Sequence, residues 1–375
     1  MVYTAGNNLI PEMKIASIIA ALCLGLQPVA TAQEPDSFSL QLFRSVVKES
    51  SGNVAISPAG VESVLTTLKQ YSAGETLDEL KSLPMSGEKV KFDISVQQAD
   101  GMFVAENLPL QPEVKDAVSV NFAKNEEAAR TINSWVSEHT EGLIRKLVSP
   151  ADLSSLTAFV ATNAMYLEAQ WLFPFDKKSS FTGEFTTEDG NTVEVNMMSR
   201  LDKFPAVKGE DWVAVALPYK AAVSSGSPCW FIAICPKGDV RKFAAGLTQE
   251  KYAGILTRLS DAAGRKRVIM PSFTIETGTV NLNNALKDMG LRTIFAKADF
   301  SRLTSSRRDI YLSKVLQKCY VKVDEQGTVA AAATGAIANF RSLPPTIVLD
   351  RPFIWMITDF SGSTAPLFMG ILSRP

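Results

Sequence analysis

Four segments of the chain place hydrophobic residues three and four positions apart, which is typical of helices with one buried face. The spacing predicts helices over residues 36–49, over the stretch after Ser57, over residues 76–83 and over residues 126–148. The second helix is the best marked, because Ser57 suits the N-cap and Pro58 suits the first helical position. Gly74 is expected to end it.

Most other regular segments have the composition of strands, with short runs of β-branched and aromatic residues. We predict strands over residues 156–167, 192–198, 212–217, 229–235, 267–275, 319–323 and 353–358. Several of these runs are almost continuously apolar, which favours strands that are covered on both faces. Helices near the start and strands later in the chain predict an α+β fold with more than one sheet.

The N-terminus has the pattern of an export signal. Lys14 precedes an apolar run over residues 15–26, and the small-residue pattern Ala30-Thr31-Ala32 follows. This order predicts a signal peptide over residues 1–32 and a single domain over residues 33–375. The run is shorter than the roughly 20 residues of a membrane span. We therefore expect an exported protein, either secreted to the extracellular space or periplasmic, with no membrane span.

Composition excludes several classes of protein. The 375 residues are 46% hydrophobic and 21% charged, with a net charge of -1, so the chain can bury a large core but has no broad basic field for nucleic acid. Cys229, Cys235 and Cys319 follow the signal peptide, and six residues of strand would hold the first two too far apart for a disulfide. Free, buried thiols are expected.

Candidate catalytic residues are few. His139 is the single histidine, and its helical position beside glutamates favours a solvent-facing side chain. Ser45 with Lys48, and Ser86 with Lys89, have the Ser-x-x-Lys spacing of some hydrolases without the companion motifs. No metal-ligand, phosphate-binding or dinucleotide-binding motif occurs, so no metal or cofactor is expected. An enzyme of the Ser-Lys type remains an alternative, and we expect a protein that is not an enzyme.

The most unusual segment is an uncharged run over residues 326–340 that ends at Arg341. On composition alone it fits a flexible linker or an alanine-rich helix. Thr334, Gly335 and Ile337 disfavour the helix, and the scarcity of polar residues disfavours a solvated linker. Read with period two, one face carries only small uncharged residues: Thr328, Ala330, Ala332, Thr334, Ala336 and Ala338. That face could enter a covered sheet at low cost.

The run from Glu325 to Thr334 resembles the hinge of inhibitory serpins, in which an acidic residue, a glycine, a threonine and small residues precede a bait sequence. Further segments are similar to family signatures and follow in family order. They are Asn53-Val54-Ala55-Ile56-Ser57-Pro58, Gly74-Glu75-Thr76-Leu77-Asp78, Thr162-Asn163-Ala164-Met165-Tyr166, Trp171 with Pro174-Phe175-Asp176, Val195-Asn196-Met197-Met198, Leu217-Pro218-Tyr219, Asp299-Phe300-Ser301, Asp350-Arg351-Pro352-Phe353 and Leu367-Phe368-Met369-Gly370. The resemblance extends from about residue 36 to the C-terminus.

This resemblance implies a serpin fold, with three β-sheets, eight or nine helices and an exposed reactive-centre loop over about residues 325–345. The implied hinge comprises Glu325, Gly327, Thr328, Ala330, Ala331, Ala332, Ala333 and Thr334. The family usually has its scissile residue fourteen positions after the hinge glycine, and Gly327 plus fourteen is Arg341. The reactive bond is therefore expected between Arg341 and Ser342, with Phe340 as an alternative site for chymotrypsin-like enzymes.

The function implied is suicide-substrate inhibition of trypsin-like serine proteases, because an arginine fits their acidic specificity pocket. The protease would form a covalent acyl-enzyme and be trapped when the cleaved loop enters the main sheet. We expect a monomer that binds proteases and does not bind nucleic acid. The alternative is a non-inhibitory serpin-fold protein that acts as a substrate or binding module.

Two departures from the family pattern concern the shutter, which in serpins is the region where the main sheet opens. Ser57 and Asn163 match its pattern, but Gly60 replaces a second serine and Gln317 replaces a histidine. Trp171 matches the tryptophan at the top of the sheet. The stretch over residues 83–92 is also short, so little room remains for an additional helix that binds heparin-like polymers.

Overall fold

Hydrophobic residues of the chain are divided among three β-sheets and the helices that pack against them. The computed structural model describes residues 36–87, 91–223, 226–276, 278–306, 310–327, 344–362 and 365–375. All of these lie in one compact unit, Pro35–Pro375. The predicted signal peptide lies outside the described residues.

Seven α-helices and three one-turn 3-10 helices occur in the described ranges, where the family resemblance implied eight or nine helices. The α-helices are α1 (Phe38–Glu49), α2 (Pro58–Tyr71), α3 (Gly74–Ser82), α4 (Asn125–His139), α5 (Val240–Ala245), α6 (Gln249–Ser260) and α7 (Asn283–Asp288). The 3-10 helices are Pro150–Asp152, Lys177–Ser179 and Thr293–Phe295.

The first three predicted helices are confirmed, and the Ser57 hydroxyl accepts the Gly60 N–H at 3.0 Å as an N-cap. Gly74 begins α3 rather than ending α2. The fourth prediction is too long, because α4 ends at His139. Glu141 and Gly142 then take positive φ angles of 51° and 78°, which an α-helix does not accommodate.

Sixteen strands lie in the described ranges. They are β1 (Val54–Ile56), β2 (Ser95–Ala105), β3 (Ala117–Val120), β4 (Phe159–Glu168), β5 (Phe181–Thr186), β6 (Thr192–Asp202), β7 (Ala206–Lys208), β8 (Trp212–Pro218), β9 (Trp230–Pro236), β10 (Lys266–Pro271), β11 (Phe273–Glu276), β12 (Val280–Asn281), β13 (Lys314–Val323), β14 (Thr346–Val348), β15 (Phe353–Thr358) and β16 (Phe368–Leu372).

These strands form three sheets, as expected. Sheet 1 has the order β11-β13-β4-β2-β3, and β12 also pairs with β13. Sheet 2 has the order β1-β16-β15-β9-β8-β7, and sheet 3 has the order β14-β10-β6-β5. In sheet 1, β13 and β4 are parallel, while β13 pairs with β11 and β4 pairs with β2 in antiparallel fashion.

Each of the seven predicted strands corresponds to strand structure. The run over residues 267–275 is two strands, because the chain leaves sheet 3 at Pro271 and enters sheet 1 at Phe273. The prediction missed β2, the eleven-residue strand beside β4, because Gln97, Gln98 and Asp100 interrupt its apolar pattern.

The core lies between the sheets. Sheet 2 is the most hydrophobic layer, since every residue of β15 and β16 is buried. Cys229, Cys235 and Cys319 are free and buried, as expected, and burial raises the pKa of the Cys235 thiol to about 12. None of the helices in the described ranges combines the length and hydrophobicity that a bilayer crossing requires.

Candidate functional site

The candidate site begins where β13 ends. The chain continues through residues 324–327 and is described again from residue 344, just before β14. Glu325 and Gly327 of the predicted hinge are therefore described. The following predicted residues lie outside the described ranges: Thr328, Ala330, Ala331, Ala332, Ala333, Thr334, Phe340, Arg341 and Ser342.

Trp171 fixes the base of the loop. Its side chain is 2% exposed, its indole N–H donates to the Asp324 carbonyl at 2.9 Å, and its backbone N–H donates to the Gln326 carbonyl at 3.0 Å. The Phe175 N–H donates to the Glu325 carbonyl at 2.7 Å. Three consecutive carbonyls after β13 are thus bound to the segment that follows β4. The sequence identified Trp171, and the structure places it directly against the hinge.

Gly327 is required by close backbone packing. Its φ is 131°, and a Cβ atom at this position would lie 2.6 Å from the Gln170 Cα and 2.7 Å from the Trp171 nitrogen. Only a residue without a side chain fits there. The Asp324 N–H donates to the Gly327 carbonyl at 2.9 Å, and the Gly327 N–H donates to the Asp324 carbonyl at 3.2 Å. The chain therefore leaves β13 through a closed turn.

The Glu325 carboxylate is held by neutral donors. Asn196 Nδ2 and Ser180 Oγ each donate to Oε1 at 2.9 Å. Burial disfavours the charged form, but these hydrogen bonds and the nearby Lys177 outweigh it, so the pKa of Glu325 lies below its usual value. Asn196 belongs to a family signature in the sequence, yet no pattern there assigned it or Ser180 to the hinge.

Further along β13, Gln317 joins the centre of sheet 1 to the start of α2. Its Oε1 accepts the Ser57 N–H at 2.9 Å, and its Nε2 donates to the Ser57 carbonyl at 2.9 Å and to Asn163 Oδ1 at 2.7 Å. Gln317 and Ser57 are 0% exposed and Asn163 is 1% exposed. The structure therefore brings together all three sequence-predicted shutter residues.

Gln317 makes more hydrogen bonds here than the histidine of the family pattern could make. A neutral imidazole has one donor and one acceptor, so it could replace at most two of the three hydrogen bonds of Gln317. Gly60 also fits this arrangement, because a Cβ there would lie 2.7 Å from Asn163 Nδ2. Asn163 occupies the space that the side chain of a second serine would need.

A family model described as serpin (serine protease inhibitor) matches residues 33–375. The chain belongs to the serpin family. It is 30% identical to plasminogen activator inhibitor 1 of Sus scrofa over 420 residues, covering 97% of this chain and 100% of that protein. It is 31% identical to leukocyte elastase inhibitor of Bos taurus over 376 residues, covering 90% and 97% of the two chains.

Solved structures agree with this assignment. Native protease nexin-1 with heparin has a TM-score of 0.76 at 26% identity, covering 90% of this chain and 97% of that one. Serpin-12 of Manduca sexta has a TM-score of 0.76 at 27% identity, with the same coverage. The serpin fold expected from the sequence is therefore confirmed, and the protein is a member of a family of protease inhibitors.

One contact of the predicted shutter residue Asn163 was not found from the sequence. Asp100 Oδ1 accepts a hydrogen bond from Asn163 Nδ2 at 2.6 Å, and the two residues are cross-strand neighbours on β2 and β4. This contact was not predicted, because β2 was not predicted as a strand. The polar residue Asp100 near the centre of an otherwise largely apolar segment is the signal that could have indicated it.

Two of the alternative catalytic residues, Ser86 and His139, have ordinary structural contacts. The Ser86 hydroxyl donates to buried Glu62 at 2.5 Å, and Lys89 lies outside the described residues. His139 is exposed, as expected, and stacks on Trp135 with ring centroids 3.9 Å apart. The described residues between α3 and β2 form no helix, in agreement with the short sequence there.

We predict that Gln317→Leu lowers stability, because it leaves the Ser57 N–H and Asn163 Oδ1 buried without their partner, while the Ser57 carbonyl keeps the Val61 N–H at 3.0 Å. At about 1 kcal/mol or more per group, the free energy of unfolding should fall by at least about 2 kcal/mol. Denaturant unfolding measures this. The free energy of unfolding of Gln317→His should lie between those of wild type and Gln317→Leu. Gln111→Leu, which removes one exposed hydrogen bond to Ser301, serves as the control. Equal stability of Gln317→Leu and wild type would contradict the network.

We also predict that the Glu325 anchor weakens in acid. Because the folded-state pKa is lowered, its stabilisation is complete above the ordinary value of 4.5 and is lost as pH falls through the folded-state pKa. Glu325→Gln should therefore lower the melting temperature more at pH 7 than at pH 3. Glu194→Gln, an exposed carboxylate on β6, should have little effect at either pH. A Glu325→Gln deficit that is the same at both pH values would exclude the charged anchor.

Proposed function

We propose that this serpin is a suicide-substrate inhibitor of trypsin-like serine proteases with Arg341-Ser342 as its reactive bond. The observation that carries the proposal is the position of Gly327, which directly precedes the small-residue run over residues 328–334 in the sequence. Gly327 lies just after the end of β13 and packs against Gln170, just after the end of the parallel neighbour β4. The names of the relatives, plasminogen activator inhibitor 1 and leukocyte elastase inhibitor, support inhibition of serine proteases in general.

The topology favours insertion between β13 and β4. These strands pair in parallel from Lys314↔Val160 to Tyr320↔Tyr166. A segment that leaves the end of β13 and turns back between them would be antiparallel to both. Insertion would replace one parallel pairing with two antiparallel pairings, and parallel pairs are slightly less stable per residue. The threonine and alanine face of the loop would enter the sheet without burying a charge.

Insertion must first separate β13 from β4. This breaks the hydrogen bond from Gln317 to Asn163 and the stacking of Tyr166 on Tyr320, whose ring centroids are 5.2 Å apart. Loop insertion therefore has a barrier in the middle of sheet 1. The small faces of the loop add little burial, so the driving force must include relief of strain elsewhere in the uncleaved fold.

An intact loop could not insert completely. Fourteen residues of strand after Gly327 extend about 46 Å along sheet 1. The other end is held on sheet 3, where the Arg267 N–H donates to the Pro345 carbonyl at 2.9 Å. The four residue steps from Arg341 to Pro345 span at most about 14 Å. As long as β14 stays paired in sheet 3, full insertion therefore requires a break in the chain, which an attacking protease supplies.

The covalent step uses the protease's own chemistry. Its serine attacks the Arg341 carbonyl, the bond to the Ser342 nitrogen breaks, and the new amino terminus leaves with the proton delivered by the protease histidine. Insertion then carries the acyl-linked protease away from sheet 3 before water hydrolyses the ester. We further propose that the mature protein starts after residue 32, acts as a monomer outside the cytoplasm, and requires no cofactor.

We predict an SDS-stable complex between the mature protein and trypsin. Arg341→Ala should slow complex formation by at least tenfold, and Arg341→Phe should shift inhibition toward chymotrypsin. Thr328→Arg should leave cleavage intact but abolish the complex, because insertion would bury its charge. Arg130→Ala, an exposed arginine on α4, should behave as wild type. Clean cleavage of wild type without a complex would instead indicate the non-inhibitory alternative.

Cleavage after Arg341 should raise the melting temperature, because the inserted loop adds a strand to sheet 1. We expect an increase of at least about 10 °C by circular dichroism, as about 5 kcal/mol or more of new ladder hydrogen bonds would give. Thr328→Arg, cleaved in the same way, should show little increase. An unchanged melting temperature of cleaved wild type would argue against insertion.

A further inference from the structure

Two tyrosines, Tyr166 of β4 and Tyr320 of β13, lie at the hinge end of the parallel pairing. The register of the two strands ends at this pair, although β4 continues to Glu168 and β13 to Val323. The tyrosines therefore form the last row of the pairing before the hinge. Their rings stack with centroids 5.2 Å apart and an angle of 19° between the planes.

The stacked rings lie on the face of sheet 1 that carries α4. Tyr166 packs against the core cluster that α4 shares with sheet 1. Side chains alternate along a strand, so Asn163 and Gln317, three positions earlier on the two strands, point to the opposite face, where Gln317 binds Ser57 at the start of α2. The pairing is thus held on its α2 face by amides and on its α4 face by two phenol rings.

Two phenol rings in contact can be joined by oxidation. A one-electron oxidant takes an electron from each phenol, which also loses its proton, and the resulting radicals have spin density at the ring carbons beside the oxygen. One such carbon of each ring couples with the other to form a carbon–carbon bond, and the hydrogen of each carbon then moves as a proton to its oxygen. The product, dityrosine, has two phenols and has lost two hydrogen atoms. A haem peroxidase supplies the oxidant, because one hydrogen peroxide takes up the two electrons and two protons and becomes two waters.

The thiols of the described residues do not compete well for such an oxidant. Cys229, Cys235 and Cys319 are free but buried, and burial raises the pKa of all three thiols. The thiolate is the reactive form, so these cysteines are inert. Tyr166 and Tyr320 are only partly buried, which leaves their rings accessible. The compartment outside the cytoplasm, where we place the mature protein, is oxidising.

A covalent link between the two rings would obstruct loop insertion. The α2 face of the pairing is closed by Ser57 and the core, so an inserting strand has to enter from the α4 face. The link would cross the two strands on that face. The loop could pass beneath it only by threading its free end, and in the acyl-enzyme this end carries the whole protease. Insertion would therefore stop at the row of the two tyrosines.

We propose that Tyr166 and Tyr320 form a modification site, at which peroxide-driven oxidation joins them as an intramolecular dityrosine and converts the inhibitor into a substrate. The link itself depends only on the contact between the rings. Its effect on proteases rests on the proposed function.

The test treats the mature protein with hydrogen peroxide and a haem peroxidase at low protein concentration. Gel filtration then isolates the monomer, which removes links between molecules. Dityrosine fluorescence and mass spectrometry of the linked peptides identify the site. Tyr166→Phe and Tyr320→Phe each keep the ring and remove the phenol oxygen. Tyr311→Phe is the matched control, because Tyr311 is also partly buried and its hydroxyl makes one long hydrogen bond, to the Leu156 carbonyl at 3.4 Å.

We expect treated wild type and Tyr311→Phe to yield a linked pair of peptides that contain Tyr166 and Tyr320 and lack two hydrogen atoms. Trypsin should still cleave the linked protein after Arg341. The SDS-stable complex and the rise in melting temperature on cleavage should be lost in proportion to the linked fraction. Treated Tyr166→Phe and Tyr320→Phe should form no link and should form the complex as they do without treatment.

The possible failures are distinguishable. If oxidation does not link Tyr166 to Tyr320, or if the linked protein forms the complex as untreated protein does, the modification site is wrong and the proposed function stands. The same holds if oxidation inactivates Tyr166→Phe and Tyr320→Phe as much as wild type. If untreated wild type forms no complex with trypsin, the proposed function fails and this inference fails with it.

Discussion

The parallel pairing of β13 with β4 is the constraint on which the rest of the structure depends. Both strands lie inside sheet 1, and Gln317 and Asn163 join them by a buried hydrogen bond. Gln317 also binds both backbone groups of Ser57, so the pairing is tied to the N-terminus of α2 and to the core beneath it. Separating the two strands therefore disturbs a network and not a single contact.

Residues 324–327, which follow β13, are held in a defined position at the end of this pairing. Trp171, in the segment that follows β4, holds the chain immediately after β13, and Asn196 of β6 holds it through the Glu325 carboxylate. Gly327 thus lies at the end of the β13–β4 pairing. For the insertion that we propose, this anchor shortens the search for the site between the two strands, compared with a free loop of the same composition.

The sequence predicted many of the periodic elements, although it missed the amphipathic helix α6, and it predicted non-local contacts poorly. Helix α2 and the apolar strands carry their own signals of capping and burial, so they were found. Strand β2 was missed because Asp100 faces Asn163, and a polar residue inside a sheet is explained only by its partner on another strand. Ser57 and Gln317 are 260 positions apart, and only the resemblance to serpins indicated that they would meet.

In the mechanism that we propose, the second attachment of the loop explains how the uncleaved state persists. Its far end is bound to sheet 3 through Pro345 and β14, while its near end is bound to sheet 1 through Gly327. Both ends are stable in their own sheets, so an intact chain cannot gain the antiparallel pairings of full insertion without losing β14. In the mechanism that we propose, the covalent bond between the two halves of the loop is therefore itself the restraint, and a protease that breaks this bond removes the restraint while it is still attached to the half that moves.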